Sequence, residues 1–329
     1  SVNQSDPPRS LLRTVARWAV VVVIFAFIGR SLVVNWDELS EADLHFDIGL
    51  LLISFGLLTI WMFGQAWIWH LLTRTVQVEI PFPKAMAAWF YSQLGKYIPG
   101  KVFLYLGRLH LYTREGRSAG PVTLAFGVEF VGNLAAAVFT VLVAGLTLDV
   151  PGFDRYRWLL VAALVALLVG LHPRPLGWLI AGAARLLRRR PFPVTLTYPQ
   201  LLRYLGLYVL NWLVFGGTLF VFLRSFYLVD PSSILYLTGA FSLAGMIGIL
   251  AFFTPSGLGV REGVLALFLN QVMPTSVAIV AAVASRIWLT VVELASAGVV
   301  YLAARYWWHD LDAGDSSRSI GDGLEGFDQ

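Results

Sequence analysis

The chain has no cysteine, which excludes disulfides, thiolate metal sites and cysteine nucleophiles. Its five histidines (His45, His70, His110, His172, His309) are scattered without an i, i+4 pair, so no zinc site is expected, and no metal or other cofactor. No GxxxxGK[ST] motif occurs, so direct ATP drive is not expected. Charge is also scarce: 13% of the 329 residues are Asp, Glu, Lys or Arg, against 57% hydrophobic, and the mean hydropathy is +0.71. The net charge of +4 is small, its placement matters more than its sum, and no nucleic-acid partner is expected. What is abundant is apolar sequence. Several segments approach or exceed the roughly 20 residues that cross a bilayer, which predicts an all-α polytopic membrane protein. Twelve Trp and twelve Tyr fit the same class, and "NWDEL" (35–39) and "RYWWHD" (305–310) place such rings at membrane edges.

Charge placement gives a topology. Arg9, Arg13 and Arg17 precede "WAVVVVIFAFI" without a small-x-small cleavage site, so a retained first helix is expected at about 15–34, after a cytoplasmic segment 1–14. The next loop, "NWDELSEADLHFD", holds five acids and no Lys or Arg and reads as external. A second helix at about 48–72 returns. Residues 73–117 carry Arg74, Lys84, Lys96, Lys101, Arg108, Arg114 and Arg117, which puts both ends of this stretch inside, so its apolar part cannot span once. Helices at about 118–148, 156–172, 201–223 and from 277 to Arg305 complete six full spans. An amphipathic helix at 176–190, ending in Arg185, Arg188, Arg189 and Arg190, is expected on the cytoplasmic leaflet. Both termini are then cytoplasmic, in the cell membrane. The polar, acidic tail 307–329 is expected to be disordered.

The pattern repeats in inverted form about residue 150, as membrane repeats 15–150 and 151–306. Each holds one interrupted, re-entrant segment, at about 84–112 and 232–273, and such paired segments point to a transporter site at mid-membrane. The breaks are "LGKYIPGKV", with Gly95, Pro99 and Gly100, and "TPSGLGVREG", with Pro255, Gly257 and Gly259. Irregular backbone at membrane depth persists only away from lipid, and helix N-termini supplemented by Lys or Arg bind anions. Lys96, Lys101, Arg108, Arg261 and Glu262 are therefore candidates for a substrate site. Positive-inside anchoring and an ordinary Pro99–Gly100 turn would also account for the lysines, but not for Arg261 and Glu262 on the outer side.

A second set lies within the apolar helices: Glu129 with Asn133 one turn on, and Arg286 with Glu293 seven residues on. Such residues mark either a pathway or a structural ion pair. Glu129 follows Pro99 by thirty residues and Arg286 follows Pro255 by thirty-one, so the two sit at related positions if the repeats superimpose.

"GKYIPGKVFLYLGR", "TPSGLGVREG" and the later "SRIWLTVVE" together resemble the lysylphosphatidylglycerol synthase transmembrane-domain family, the flippase-like domain of multiple peptide resistance factor proteins, over about residues 10–306. The resemblance implies a membrane protein that moves a lipid with a phosphate-bearing head between leaflets: an aminoacyl-phospholipid, another phospholipid or a polyprenyl-linked lipid. About two dozen residues follow Arg305, too few for the aminoacyl-transferase domain of the full synthases, so no enzymatic activity is expected. The partners expected are the lipid itself and a separate lipid synthase or glycosyltransferase. Two alternatives stand beside this. One is an intramembrane enzyme using Glu129, Glu262, Glu293 or His110, and the other a scaffold for a separate synthase.

Overall fold

The computed structural model describes residues 30, 33, 44–97, 102–147, 153–186, 193–251, 254 and 257–324. The expected first helix lies outside them except for residues 30 and 33, as do Pro99, Gly100, Lys101 and Pro255. Every described element is helical: α1 Ile48–Thr75, α2 Phe82–Leu94, α3 Val102–Arg114, α4 Ala119–Thr147, α5 Phe153–Leu171, α6 Pro173–Leu186, α7 Tyr198–Arg224, α8 Ile234–Leu250, α9 Val260–Leu269 and α10 Thr275–Leu324, with 3₁₀ turns at Gly95–Tyr97 and Pro231–Ser233. The starts are set locally. Asp47 accepts a hydrogen bond from the Leu50 N–H (3.0 Å) ahead of α1, and Gln200 accepts one from the Thr197 N–H (2.8 Å) at α7. α10 continues through the polar stretch that the composition marks for disorder, as far as Leu324.

Among the described residues, five helices are long and apolar enough to cross a membrane: Ile48–Thr75, Ala119–Leu146, Tyr198–Arg224, Pro231–Leu250 and Thr275–Ala304. Their outer faces carry exposed apolar side chains such as Ile60, Trp67, Leu210, Ile287 and Leu294, as lipid contact requires. The chain is an all-α multi-pass membrane protein. One of the five differs from expectation, because Pro231–Leu250 is the first arm of the second interrupted segment yet has the length of a full span. The amphipathic helix is found as α6, bent by 71° from α5 across the His172–Pro173 junction.

Both interrupted segments fold back as helical hairpins. In the first, Lys84 and Glu115 pair at the open end (2.9 Å), and Arg108 Nε donates to Ser92 Oγ (2.7 Å) further along. In the second, Tyr236 Oη donates to the Phe268 carbonyl (2.7 Å) at the open end, and Gly248 meets Arg261 near the tip. The tips need glycine for contact. A Cβ on Gly95 would stand 2.6 Å from the Phe103 carbonyl carbon, and one on Gly257, whose φ is +73°, would stand 2.5 Å from the Gly248 carbonyl oxygen.

α10 sets the relation between the hairpins. Hairpin α2/α3 lies along the C-terminal half of its apolar part, Thr275–Ala304, with the Tyr91 ring 6.3 Å from that of Tyr301 and Lys96 paired with Glu293 at 2.7 Å. Hairpin α8/α9 lies along its N-terminal half, from the Thr275 hydroxyl donating to Asn270 (2.7 Å) to Arg286, 3.8 Å from Glu262. The two therefore run in from opposite ends of Thr275–Ala304 and bring their tips to its middle. α1 and α7 pack antiparallel, the Asp47 N–H donating to the Ser225 carbonyl (2.8 Å) at one end and Tyr204 Oη to the Leu71 carbonyl (2.8 Å) at the other. Among the described helices, exchanging α1 with α7, α2 with α8, α3 with α9 and α4 with α10 maps every well-packed pair of these eight onto another such pair.

Gly257→Ala is expected to lose about 2–4 kcal/mol through left-handed strain plus the backbone clash, whereas Gly263→Ala, in a helix with open space at its Cβ, is expected to be neutral or slightly stabilising. Thermal unfolding of both variants in detergent checks this, and equal melting temperatures would contradict it.

Candidate functional site

A cavity of ≈ 290 Å³ opens where the hairpin tips approach α10, walled by α1, α4, α7 and α8 as well. Into it converge Lys96 from the first tip, Arg108 from α3, Glu129 and Asn133 from α4, Arg261 from α9, and Arg286 and Glu293 from α10. Seven residues separated by up to 197 positions thus line one space. Between them they carry four cations and two carboxylates.

Arg108 and Glu129 form the innermost pair. The Arg108 Nη1 pairs with Glu129 Oε2, Trp89 Nε1 donates to Glu129 Oε1 (3.0 Å), and Arg108 stands over the Trp69 ring at 4.4 Å. Arg108 is 1% exposed, so this cation is held by protein on every side. Its neighbours explain the placement. The Ser92 hydroxyl accepts from Arg108 Nε, and α4 turns Glu129 inward on the same face as Asn133. The expectation that Arg108 binds substrate thus meets a residue already enclosed in an ion pair with Glu129.

Two of the other cations are more open. Lys96 pairs with Glu293 (2.7 Å) while keeping 24% of its side chain exposed, and Arg286 keeps 12% at 3.8 Å from Glu262, a Coulombic contact rather than a hydrogen bond. Arg261 lies over the Phe241 ring at 4.4 Å. Glu262, expected with the substrate-binding set, is not among the lining residues. It accepts from the Gly259 N–H (2.6 Å), where glycine cannot return the reciprocal half of a capping box, and it faces Arg286. Arg286 and Glu293 therefore share a face of α10 but serve different partners, one on each hairpin. His110 is exposed on α3 and does not line the cavity. No group of three or more His, Asp or Glu that could hold a metal occurs among the described residues.

The neutral walls were not foreseen. Trp61, Gln65, Trp89, Gln93, Trp212 and Phe241 also line the space, so the expectation that tryptophan marks membrane edges fails for three indoles. Gln65 Nε2 donates to Asn133 Oδ1 (3.2 Å), and Asn133 Nδ2 to the Glu129 carbonyl (3.0 Å). Gln65, a lone amide in the middle of an apolar helix, was the signal available in sequence.

The class so defined is a multi-pass helical membrane protein with a charged, aromatic-walled cavity between two hairpin tips. The chain belongs to the lysylphosphatidylglycerol synthase transmembrane-region family, whose model matches residues 14–297. No curated protein matches it.

Arg108→Met is expected to cost about 3–5 kcal/mol by leaving Glu129 buried and uncompensated, and adding Glu129→Leu to recover most of that loss. A double-mutant cycle of thermal unfolding in detergent measures the coupling. Additive losses would show that the two side chains do not depend on each other.

Proposed function

We infer that the protein moves a phosphate-bearing lipid between bilayer leaflets, with the headgroup passing through this cavity. The observation that carries the reading is the meeting of Lys96, Arg261 and Arg286 at the middle of a 30-residue apolar helical segment, Thr275–Ala304, where ionised groups are expensive unless they serve a path or a pair. With Glu262 counted beside Arg286, four cations meet three carboxylates, and the excess positive charge favours an anion there. The volume has room for a headgroup and not for two acyl chains, which would stay in lipid.

The packing symmetry supports two inverted repeats. Hairpins running in from opposite ends of α10 would then be re-entrant segments entering from the two membrane faces, and the site between them would be reachable from each in turn. By the positive-inside bias, the Arg-rich loop ends favour cytoplasmic termini, with the protein in the cell membrane. A separate lipid synthase or glycosyltransferase would supply the substrate. The transport reading is preferred over an intramembrane enzyme because Glu129 and Glu293 are each engaged by a cation and His110 lies off the cavity, so no free base and acid face each other across it.

The test is leaflet exchange of labelled phospholipids and polyprenyl phosphates in liposomes containing the full chain, with product analysis in parallel. Wild type is expected to exchange lipid without converting it, and Lys96→Ala and Arg261→Ala to lose about tenfold or more of the rate, as expected where a charge-assisted phosphate contact is removed. Glu129→Gln is expected to lower exchange together with stability. Conversion of the lipid, or wild-type exchange in all three variants, would overturn the reading.

A further inference from the structure

The cavity is charged in one part and apolar in another, and the apolar part follows from how α4 is covered. Tyr105 Oη and Thr123 Oγ1 share a hydrogen bond (2.7 Å) where α3 meets α4, and Thr140 Oγ1 and Ser242 Oγ share one (2.8 Å) where α8 meets it. α3 and α8 each pack on α4 but not closely on one another, so the stretch of α4 between these contacts is the floor of a gap. Phe126 and Phe130, one turn apart, lie on that stretch and line the cavity. Leu104 and Tyr105 of α3 line it from one bank of the gap, Gly245 and Ile249 of α8 from the other. Ile249 is also 39% exposed, and its neighbour Leu250 is exposed beside it. It therefore belongs to the cavity wall and to the outer surface at once, which makes the gap an opening.

The hairpin tips fix the depth of this opening. Leu104 is in the first turn of α3, next to the first tip, and Ile249 in the last turn of α8, next to the second, and both tips reach the middle of Thr275–Ala304. An opening at that depth faces hydrocarbon, not headgroups or water. Inside, the Phe126 ring lies 5.2 Å from that of Tyr105 and 5.5 Å from the Arg108 guanidinium, so the apolar floor begins where the charged cluster ends. A space charged within and open to hydrocarbon at its apolar edge fits an amphiphile, since a soluble anion alone would leave the phenyl floor uncovered. We propose that the gap between α3 and α8 is a lateral mouth, in which one acyl chain of a bilayer phospholipid lies over Phe126 and Phe130 and runs out past Ile249 while the head stays in the cavity. The corresponding gap of the other half, between α9 and α2, is closed to the cavity on the α9 side, where Arg261 alone among the described residues lines it and the exposed Leu267 does not. The proposal rests on the transport reading for the head but not for the mouth itself.

Because the chain has no cysteine, a single introduced one can be labelled uniquely. Ile249→Cys is compared with Leu267→Cys and with Leu210→Cys, which is exposed on α7 and off the cavity. Each full chain is labelled in detergent with pyrene maleimide and reconstituted in phosphatidylcholine liposomes. Leaflet exchange of labelled phosphatidic acid, phosphatidylethanolamine and phosphatidylglycerol is then measured against the same variant without pyrene. Pyrene at 249 is expected to slow exchange about tenfold or more, and pyrene at 267 or 210 to change it by less than about twofold. Equal slowing at all three positions, or none at 249, would overturn the proposal. If the chains without pyrene exchange no lipid, the transport reading falls and the mouth is decided separately by quenching. A bimane on Phe130→Cys, on the floor of the gap, is expected to be quenched by phosphatidylcholine brominated in mid-chain, as a bimane on Leu267→Cys is. Quenching at 267 without quenching at 130 would show that acyl chains stay outside the gap, and overturns the mouth.

Discussion

An ionised side chain at membrane depth must be shielded from lipid and matched by opposite charge, and the central architecture follows from that constraint. The pair Arg108–Glu129 shows how much structure it takes. α3 supplies the guanidinium, α4 the carboxylate, α2 an indole N–H and a hydroxyl, and α1 the ring of Trp69 beneath the cation. Hairpin α2/α3 cannot shift far from α4 without exposing one of these groups unpaired. The pairing thus holds the two arms of the hairpin against α4 and α1.

The same device appears in the other half with its signs exchanged. In α3 and α4 the hairpin arm carries the cation and the following helix the anion, whereas in α9 and α10 the arm carries Glu262 and the following helix Arg286. The packing partners of the helices obey the same exchange. Such correspondence is what a duplicated unit would leave: backbone packing fixes where a pair must stand, and either orientation of charge satisfies it. The departures are then informative. Seven residues beyond Arg286, Glu293 reaches back to the first tip, whereas the position seven beyond Glu129 is Ala136, buried and apolar.

Much of this was legible in sequence because the rules involved are local or one-dimensional. Apolar runs gave the helices, and Gly95 and Gly257 marked tips where side chains do not fit. The charges in apolar helices named the cavity before it was seen, since cost alone singles them out. What could not be read was which charge meets which. Pairing depends on how helices 21 to 197 residues apart are laid side by side, so Arg108 looked like a ligand-binding cation and Glu262 like its companion. The indoles were missed for a related reason. A tryptophan in a membrane helix sits at headgroup level or against a polar interior, and only the helix packing around Trp61, Trp89 and Trp212 decides between them. The length of Pro231–Leu250 was misjudged because a hairpin arm and a full span have the same composition.

The ion pairs also differ in a way that separates fixed parts from exchangeable ones. Arg108–Glu129 is enclosed, with Trp89 Nε1 donating to the carboxylate oxygen that Arg108 does not take, and replacing either member leaves a buried charge. Lys96 has a single carboxylate at 2.7 Å and a quarter of its side chain facing the cavity. On the transport reading, a phosphate entering beside Lys96 competes with Glu293 for the same ammonium, while Arg286 and Arg261 stand near enough to share the incoming charge. On that reading, anion binding at this point would loosen the Lys96–Glu293 tie between the first tip and α10 and leave the tie between α3 and α4 intact. On the transport reading the first tip would then be the part of the hairpin that substrate acts on, because its latch is made of the same chemistry as its ligand.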